Sequence, residues 1–153
     1  MPPGAPDGNP ANLDDHLLSR EPVLQRAAAV RCSLPADLPA AHCEPAHLDQ
    51  VLANLLGNAL EYTQATQVLV KGVQAADWLE VTVQDNGGGL PVSLRDTLFA
   101  KAGLAGQNRA RGGLGLGLYL CRLVVERSFG GRIWLSHTGP SGTAFKFTIP
   151  AAV

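Results

Sequence analysis

Between Ala46 and Thr63 the apolar residues recur at helical spacing. Leu48, Val51, Leu52, Leu55, Leu56 and Ala59 fall on one side of a 3.6-residue period and predict a buried face. Asn54, Asn58, Glu61 and Tyr62 lie at i, i+4, i+7 and i+8 and share a second face. Asn and Glu are poor buried residues without partners. That second face is therefore either solvated or bordered by a ligand or ion, and the helix alone leaves the two readings equal.

After Thr63 the period changes from 3.6 to 2. Gln67–Val73 sets Val68, Val70 and Gly72 against Leu69, Lys71 and Val73; Trp78–Asp85 sets Leu79, Val81 and Val83 against Glu80, Thr82 and Gln84. The alternation predicts two strands joined as a hairpin over Gln74–Asp77. Asp85-Asn86-Gly87-Gly88-Gly89-Leu90-Pro91 is a loop, and Ser93–Phe99 reads as a short helix with Ser93 as N-cap. Ala100–Gly113 has four glycines and three cations (Lys101, Arg109, Arg111), a loop of a length that usually has a function. Leu114–Phe129 is a second long helical pattern, ended by Gly130-Gly131. Arg132–Ser136 and Thr143–Pro150 read as two more strands. Ahead of the central helix, Glu21–Ala29 predicts a short helix, Val30–Leu34 a strand, Pro35–Pro39 a turn and Ala40–Cys43 a short strand; Leu13–Leu18 is ambiguous. The expected fold class is α/β: a two-layer sandwich, its mixed and mostly antiparallel sheet covered by helices on one face.

Composition narrows this picture modestly. The chain's 153 residues suit one domain, 46% are hydrophobic, and a net charge of −1 gives no reason to expect nucleic acid or an anionic membrane as partner. Four of the eleven prolines fall in residues 1–12, read as a disordered leader or linker remnant, leaving residues 13–153 as the domain. No apolar run approaches membrane-spanning length. Cys32, Cys43 and Cys121 lack metal-ligand spacing and predict buried thiols in a reducing cytosol rather than a Cys32–Cys43 disulfide.

Three stretches carry candidate chemistry. Gly113-Leu-Gly115-Leu-Gly117 opens a helix, where free N–H groups and the helix dipole favour an anion; close helix packing explains such glycines equally well. No Gly-Lys-Ser/Thr follows and no strand feeds the triplet, so it is neither a Walker loop nor a dinucleotide fingerprint. Asp85 ends a strand and can accept a hydrogen bond from an exocyclic amine, with Gly87 and Gly89 letting a flat base approach; an ordinary Asp-containing turn also fits. Asn54 and Asn58 offer neutral oxygens of the kind a nucleotide-bound magnesium takes.

Taken in order, these stretches resemble the catalytic, ATP-binding domain of sensor histidine kinases, within the superfamily of gyrase, Hsp90 and MutL. Asn54-Leu-Leu-Gly-Asn58-Ala resembles the N box, Asp85-Asn86-Gly87-Gly88-Gly89 the G1 box and Leu98-Phe99 the start of the F box. Gly113-Leu-Gly115-Leu-Gly117-Leu resembles the G2 box, and Gly142-Thr143-Ala-Phe145 through Ile149-Pro150 the closing segment. The resemblance implies a sandwich of the Bergerat type, with ATP and Mg2+ as ligands and Ala100–Arg111 as a lid. It implies Asn58 as magnesium ligand, with Asn54 the second candidate and also a catalytic one. Asp85, with Gly87, Gly89 and Leu90, is implied at the adenine. Gly113, Leu114, Gly115, Leu116 and Gly117 are implied around the phosphates, Lys101, Arg109 and Arg111 at the γ-phosphate. Tyr62, Phe99, Thr143 and Glu61 are counted along the nucleotide.

Departures sharpen the expectation. Glu61 stands where such kinases usually carry Lys, Arg or His, and a carboxylate repels phosphate unless a cation intervenes. Ala102 replaces the second F-box aromatic, and Leu114 a common Thr. Superfamily ATPases carry a Glu where Asn54 stands, and Asn cannot act as a base; the resemblance therefore implies kinase behaviour over hydrolysis. None of His16, His42, His47 and His137 precedes an acidic residue or sits on a helical hairpin. The implied acceptor is a histidine on a separate dimerisation domain of the same kinase, absent from this chain, with a response regulator downstream. The implied location is cytoplasmic, whether or not the full-length kinase is membrane-anchored, with neither nucleic acid nor membrane contacted by this domain. The runner-up reading is a degenerate nucleotide- or partner-binding module without kinase activity, motivated by Glu61 and Ala102. A self-contained ATPase is the third.

Overall fold

The computed structural model describes residues 29–59, 65–100 and 115–152. Five strands form one sheet: β1 (Ala29–Ser33), β2 (Gln67–Ala75), β3 (Trp78–Asp85), β4 (Ile133–Gly139) and β5 (Gly142–Pro150), in the order β1-β2-β3-β5-β4. Only β1 and β2 pair in parallel, because the chain between them crosses over through helix α1 (Pro45–Gly57). The other neighbours are antiparallel. Helix α2 is Val92–Arg95; α3 (Gly115–Leu123) continues as a π-helical segment, Val124–Phe129. The mixed, mostly antiparallel sheet and two-layer arrangement are those the alternation predicts.

The helical face expected of α1 is the one it buries. Leu48, Val51, Leu52, Leu55, Leu56 and Ala59 are all buried, against Val68, Val70, Leu79, Val81, Val83, Phe145, Phe147 and Ile149 of the sheet. Each of these Leu, Val, Ile and Phe side chains contributes about 1.5–3 kcal/mol by leaving water. Pro45 starts α1, where its missing N–H costs nothing, and Glu44 accepts the first turn's amides through its carbonyl rather than through its carboxylate. Gly130, at φ 70, ends the π-helical segment, and the Gly131 N–H bonds back to the Val125 carbonyl at 3.0 Å.

Four local expectations need correction. Ser93 is not an N-cap: α2 begins one residue earlier behind Pro91, and no side chain caps it. Ala40–Cys43 is not a strand but one bridge, Ala41 to Ala151. Ala29 opens β1 rather than closing a helix. Cys32 is exposed, since β1 is an edge strand, whereas Cys43 and Cys121 are buried thiols without a disulfide. The rest of the expected helix from Glu21, Leu13–Leu18 and the expected 1–12 leader lie outside the described residues, as do residues 60–64, where the central helix is expected to end, and residues 101–114, which hold all but Ala100 of the expected lid. Among the described residues, no helix is long and apolar enough to cross a membrane.

Burial pushes the Cys43 thiol up to about 12, with Glu44 and Asp49 adding to the effect. Burial also pushes the Cys121 thiol up to about 12, against a smaller opposing hydrogen bond from Asn54. Between the ordinary thiol value of 9.0 and about 12 the native state keeps protons that the unfolded chain has lost. Stability therefore falls as pH rises through that window and is unaffected by these groups below it. Thiol labelling at about pH 8 is expected to modify only Cys32 in the native protein and all three cysteines after denaturation. Rapid native labelling of Cys43 or Cys121 would contradict this packing.

Candidate functional site

The sheet's central strand β3 ends at Asp85, which is in register with Val68 of β2 on one side and Thr143 of β5 on the other. Both Asp85 and Thr143 are buried. The Asp85 carboxylate accepts the Gly87 N–H at 2.8 Å, so the glycine turn folds back on the residue that starts it. Asn86 ties the same loop to β2. Its side-chain oxygen accepts the Thr66 and Gln67 amides at 2.9 Å each, and its amide nitrogen donates to the Thr66 hydroxyl at 3.0 Å.

The hairpin of β4 and β5 backs this loop. Gly89 has φ 83 and lies so close to the hairpin that a Cβ would sit 2.4 Å from the Gly139 carbonyl oxygen. Gly142 has φ 144, and a Cβ there would sit 2.0 Å from the Asp85 carbonyl oxygen. The Leu90 N–H donates to the Thr138 hydroxyl, which in turn shares a hydrogen bond with the Thr143 hydroxyl, each 2.9 Å. Phe99 meets Phe145 edge-on, 6.1 Å between ring centroids, which ties the chain after α2 to β5.

On the helical side, α1 and α3 pack against each other. Half-buried Asn54 faces Gly117: a Cβ there would lie 3.5 Å from the Asn54 side-chain oxygen. One turn on, the Cys121 thiol donates to the Val51 carbonyl at 3.8 Å. Asn58 is 3% exposed, and among the described residues neither its amide oxygen nor its amide nitrogen has a hydrogen-bond partner. The end of α1 reaches the Asp85 loop through the Ala65 N–H, which donates to the Ala59 carbonyl at 2.8 Å just before Thr66 meets Asn86.

Of the residues singled out in the sequence, Asp85, Gly87, Gly89, Leu90 and Thr143 gather at one end of the sheet, and Asn54 and Gly117 meet between the helices. Gly115 and Leu116 begin α3. Glu61, Tyr62, Lys101, Arg109, Arg111, Gly113 and Leu114 lie outside the described residues. Asn86 and Thr138 were not singled out. Asn86 had a signal, its place in an Asp-Asn-Gly turn, but its partners 19 and 20 residues away did not. Thr138 had none. His47 and Ser128, also unforeseen as partners, bond at 2.6 Å between α1 and the π-helical segment. The arrangement offers a carboxylate, a neutral amide and a glycine-rich helix start, a donor set suited to a base with an exocyclic amine, a hard cation and an anion.

Residues 43–153 match the family described as Histidine kinase-, DNA gyrase B-, and HSP90-like ATPase. The adaptive-response sensory kinase SasA of Prochlorococcus marinus subsp. pastoris is 31% identical over 152 residues, covering 93% of this chain and 41% of its own length. The chain thus spans about two fifths of that relative. The catalytic domain of histidine kinase ThkA superposes with a TM-score of 0.76 at 22% identity, over 94% of this chain and 95% of that one. ThkA in complex with response regulator protein TrrA superposes at 0.73 and 21% identity, over 94% and 42%. At these identities the two structures establish the shared fold.

The glycine contacts make a direct test of the loop packing. Gly142→Ala is expected to lower unfolding free energy by about 2–4 kcal/mol, since the new methyl meets backbone that cannot move away. Gly88→Ala, with nothing within 4 Å of its Cβ, is expected to change it by less than about 0.5 kcal/mol. Urea denaturation of both variants measures the contrast, and equal effects would contradict it.

Proposed function

The chain belongs to the family of histidine kinase-, DNA gyrase B- and HSP90-like ATPases, as an ATP-binding catalytic domain of the sensor-histidine-kinase type, and on that premise we propose that it is the phosphoryl-donating part of a two-component kinase. One observation carries the reading at the level of residues. Asn58 is buried with both amide atoms unpartnered, which costs roughly 1–3 kcal/mol unless a ligand satisfies it. Its oxygen is uncharged and suits Mg2+ held alongside a nucleotide.

Asp85 accepts the adenine amino hydrogen, and Gly87 and Gly89 let the base lie against the backbone beside Leu90 and Thr143. The start of α3, with Gly113, Leu114, Gly115, Leu116 and Gly117, surrounds the phosphates through its amides. Lys101, Arg109 and Arg111 neutralise the γ-phosphate. Phe99 anchors the lid, while Tyr62 and Glu61 lie along the nucleotide beyond Asn58. Asn58 would hold Mg2+, which when bound would neutralise charge on the phosphate oxygens. Asn54, resting on Gly117, fixes the spacing between the two helices that carry these groups and offers no base for hydrolysis.

The γ-phosphoryl group goes in line to a histidine on the dimerisation domain of the same kinase, outside this chain, and from there to a response regulator. ThkA, solved with TrrA, supports that last partner. The domain works in the cytoplasm.

Calorimetric titration tests the site. The wild-type chain is expected to bind ATP saturably in Mg2+ and to release no phosphate steadily. Asp85→Asn is expected to weaken binding at least about tenfold, by losing the charged acceptor. Asn58→Leu is expected to abolish the Mg2+-dependent part of binding while stabilising the nucleotide-free fold by about 1–2 kcal/mol, because an orphaned amide has been removed. No saturable binding at ATP concentrations on the order of millimolar would contradict the proposal.

A further inference from the structure

We propose that Thr138 is a positioning residue for base selectivity, holding the Asp85–Leu90 loop through the Leu90 amide and the Thr143 hydroxyl; this rests on Asp85 being the base-reading carboxylate. The loop is fastened at its near end by the Asp85–Gly87 turn and by Asn86 on β2. At its far end, among the described residues, the Thr138 hydroxyl accepts the Leu90 N–H at 2.9 Å, and the Arg95 guanidinium donates to the Leu90 carbonyl at 3.3 Å. The same oxygen lies 2.9 Å from that of Thr143, which is 1% exposed and in register with Asp85. One hydroxyl thus joins the loop to the neighbour of the carboxylate.

An irregularity in β4 puts Thr138 there. Leu135 pairs with Phe145, and a regular ladder would then bring His137 opposite Thr143. The register shifts between Leu135 and His137, so His137 pairs with Ala144 and Thr138 with Thr143. A bulge of this kind re-aims side chains beside a site. Here it turns a hydroxyl, instead of an imidazole, onto the helical side of the sheet where Thr143 and Asp85 lie. Gly89 and Gly139, in backbone contact next to Thr138, let the loop come close enough for the bond.

Discrimination between an amine and a carbonyl on a base depends on an acceptor held in hydrogen-bonding geometry. Without the Thr138 hydroxyl the Leu90 N–H loses its acceptor, the loop slackens and Asp85 reads the base less strictly. Selectivity falls, while phosphate contacts, made elsewhere, persist.

The test compares affinities for ATP and for ITP, whose base has a carbonyl in place of the amine, in Mg2+. Wild type is expected to favour ATP by about tenfold or more. Thr138→Val, which keeps the shape and loses the hydroxyl, is expected to cut that ratio to about threefold or less, and Thr138→Ser to restore it. Thr138→Ala serves in place of the valine variant if the latter fails to fold. An unchanged ratio in the hydroxyl-free variant, or equal loss of affinity for both nucleotides, overturns the proposal and leaves the Asp85 reading intact. A wild-type chain that does not distinguish the nucleotides overturns the Asp85 reading and this inference with it.

Discussion

A buried polar group must find a partner or pay for its lost water, and this constraint organises one end of the sandwich. The described core is almost wholly apolar; its buried polar residues are Asn58, Thr82, Asp85 and Thr143. Asp85 and Thr143 sit opposite each other at the ends of the two central strands, and the loop amides and threonine hydroxyls close around them. Asn58 is treated differently. It caps the C-terminus of α1, and among the described residues its side-chain amide has no hydrogen-bond partner. Leu there would leave no amide to satisfy, so the orphaned amide is what the proposed ligand would complete.

The helices bring the remaining parts to that end. Asn54 faces Gly117 across the α1–α3 contact, and Cys121, buried and held as a thiol, bonds to the α1 backbone one turn further along. The Phe99–Phe145 contact ties the chain after α2 to β5, the strand that carries Thr143. A nucleotide between the Asp85 loop and the start of α3 would therefore touch elements already locked to one another. That arrangement suits a reaction in which positioning and charge neutralisation, rather than covalent chemistry by the protein, lower the barrier.

Much of this was legible in the residue pattern, because it depends on local periodicity. The change from period 3.6 to period 2 after Thr63 marks the helix-to-sheet transition, and the apolar stripe from Leu48 to Ala59 is the one buried. Gly89 of the Asp85 loop stands where backbone comes close, against the Gly139 carbonyl. Long-range hydrogen bonds left no such trace. Thr138 is one threonine near a hairpin until the bulge in β4 turns it inward, and Asn86 is an ordinary turn residue until Thr66 and Gln67, 20 and 19 residues back in the chain, meet it at the start of β2. Ser93 misled because a good capping residue was overridden by Pro91, whose fixed φ starts the turn one residue sooner. Cys32 misled because an apolar neighbourhood does not reveal that its strand is at the sheet edge.

The central claim is that the Asn58 amide is kept unpartnered for magnesium bound with ATP. Its side-chain amide signal in a nitrogen-15 NMR spectrum reports on this most directly. The account predicts that the signal shifts when ATP is added with Mg2+ and returns toward its free position when a chelator removes the metal while ATP remains. A signal that ignores the nucleotide, or moves equally with and without metal, would contradict it.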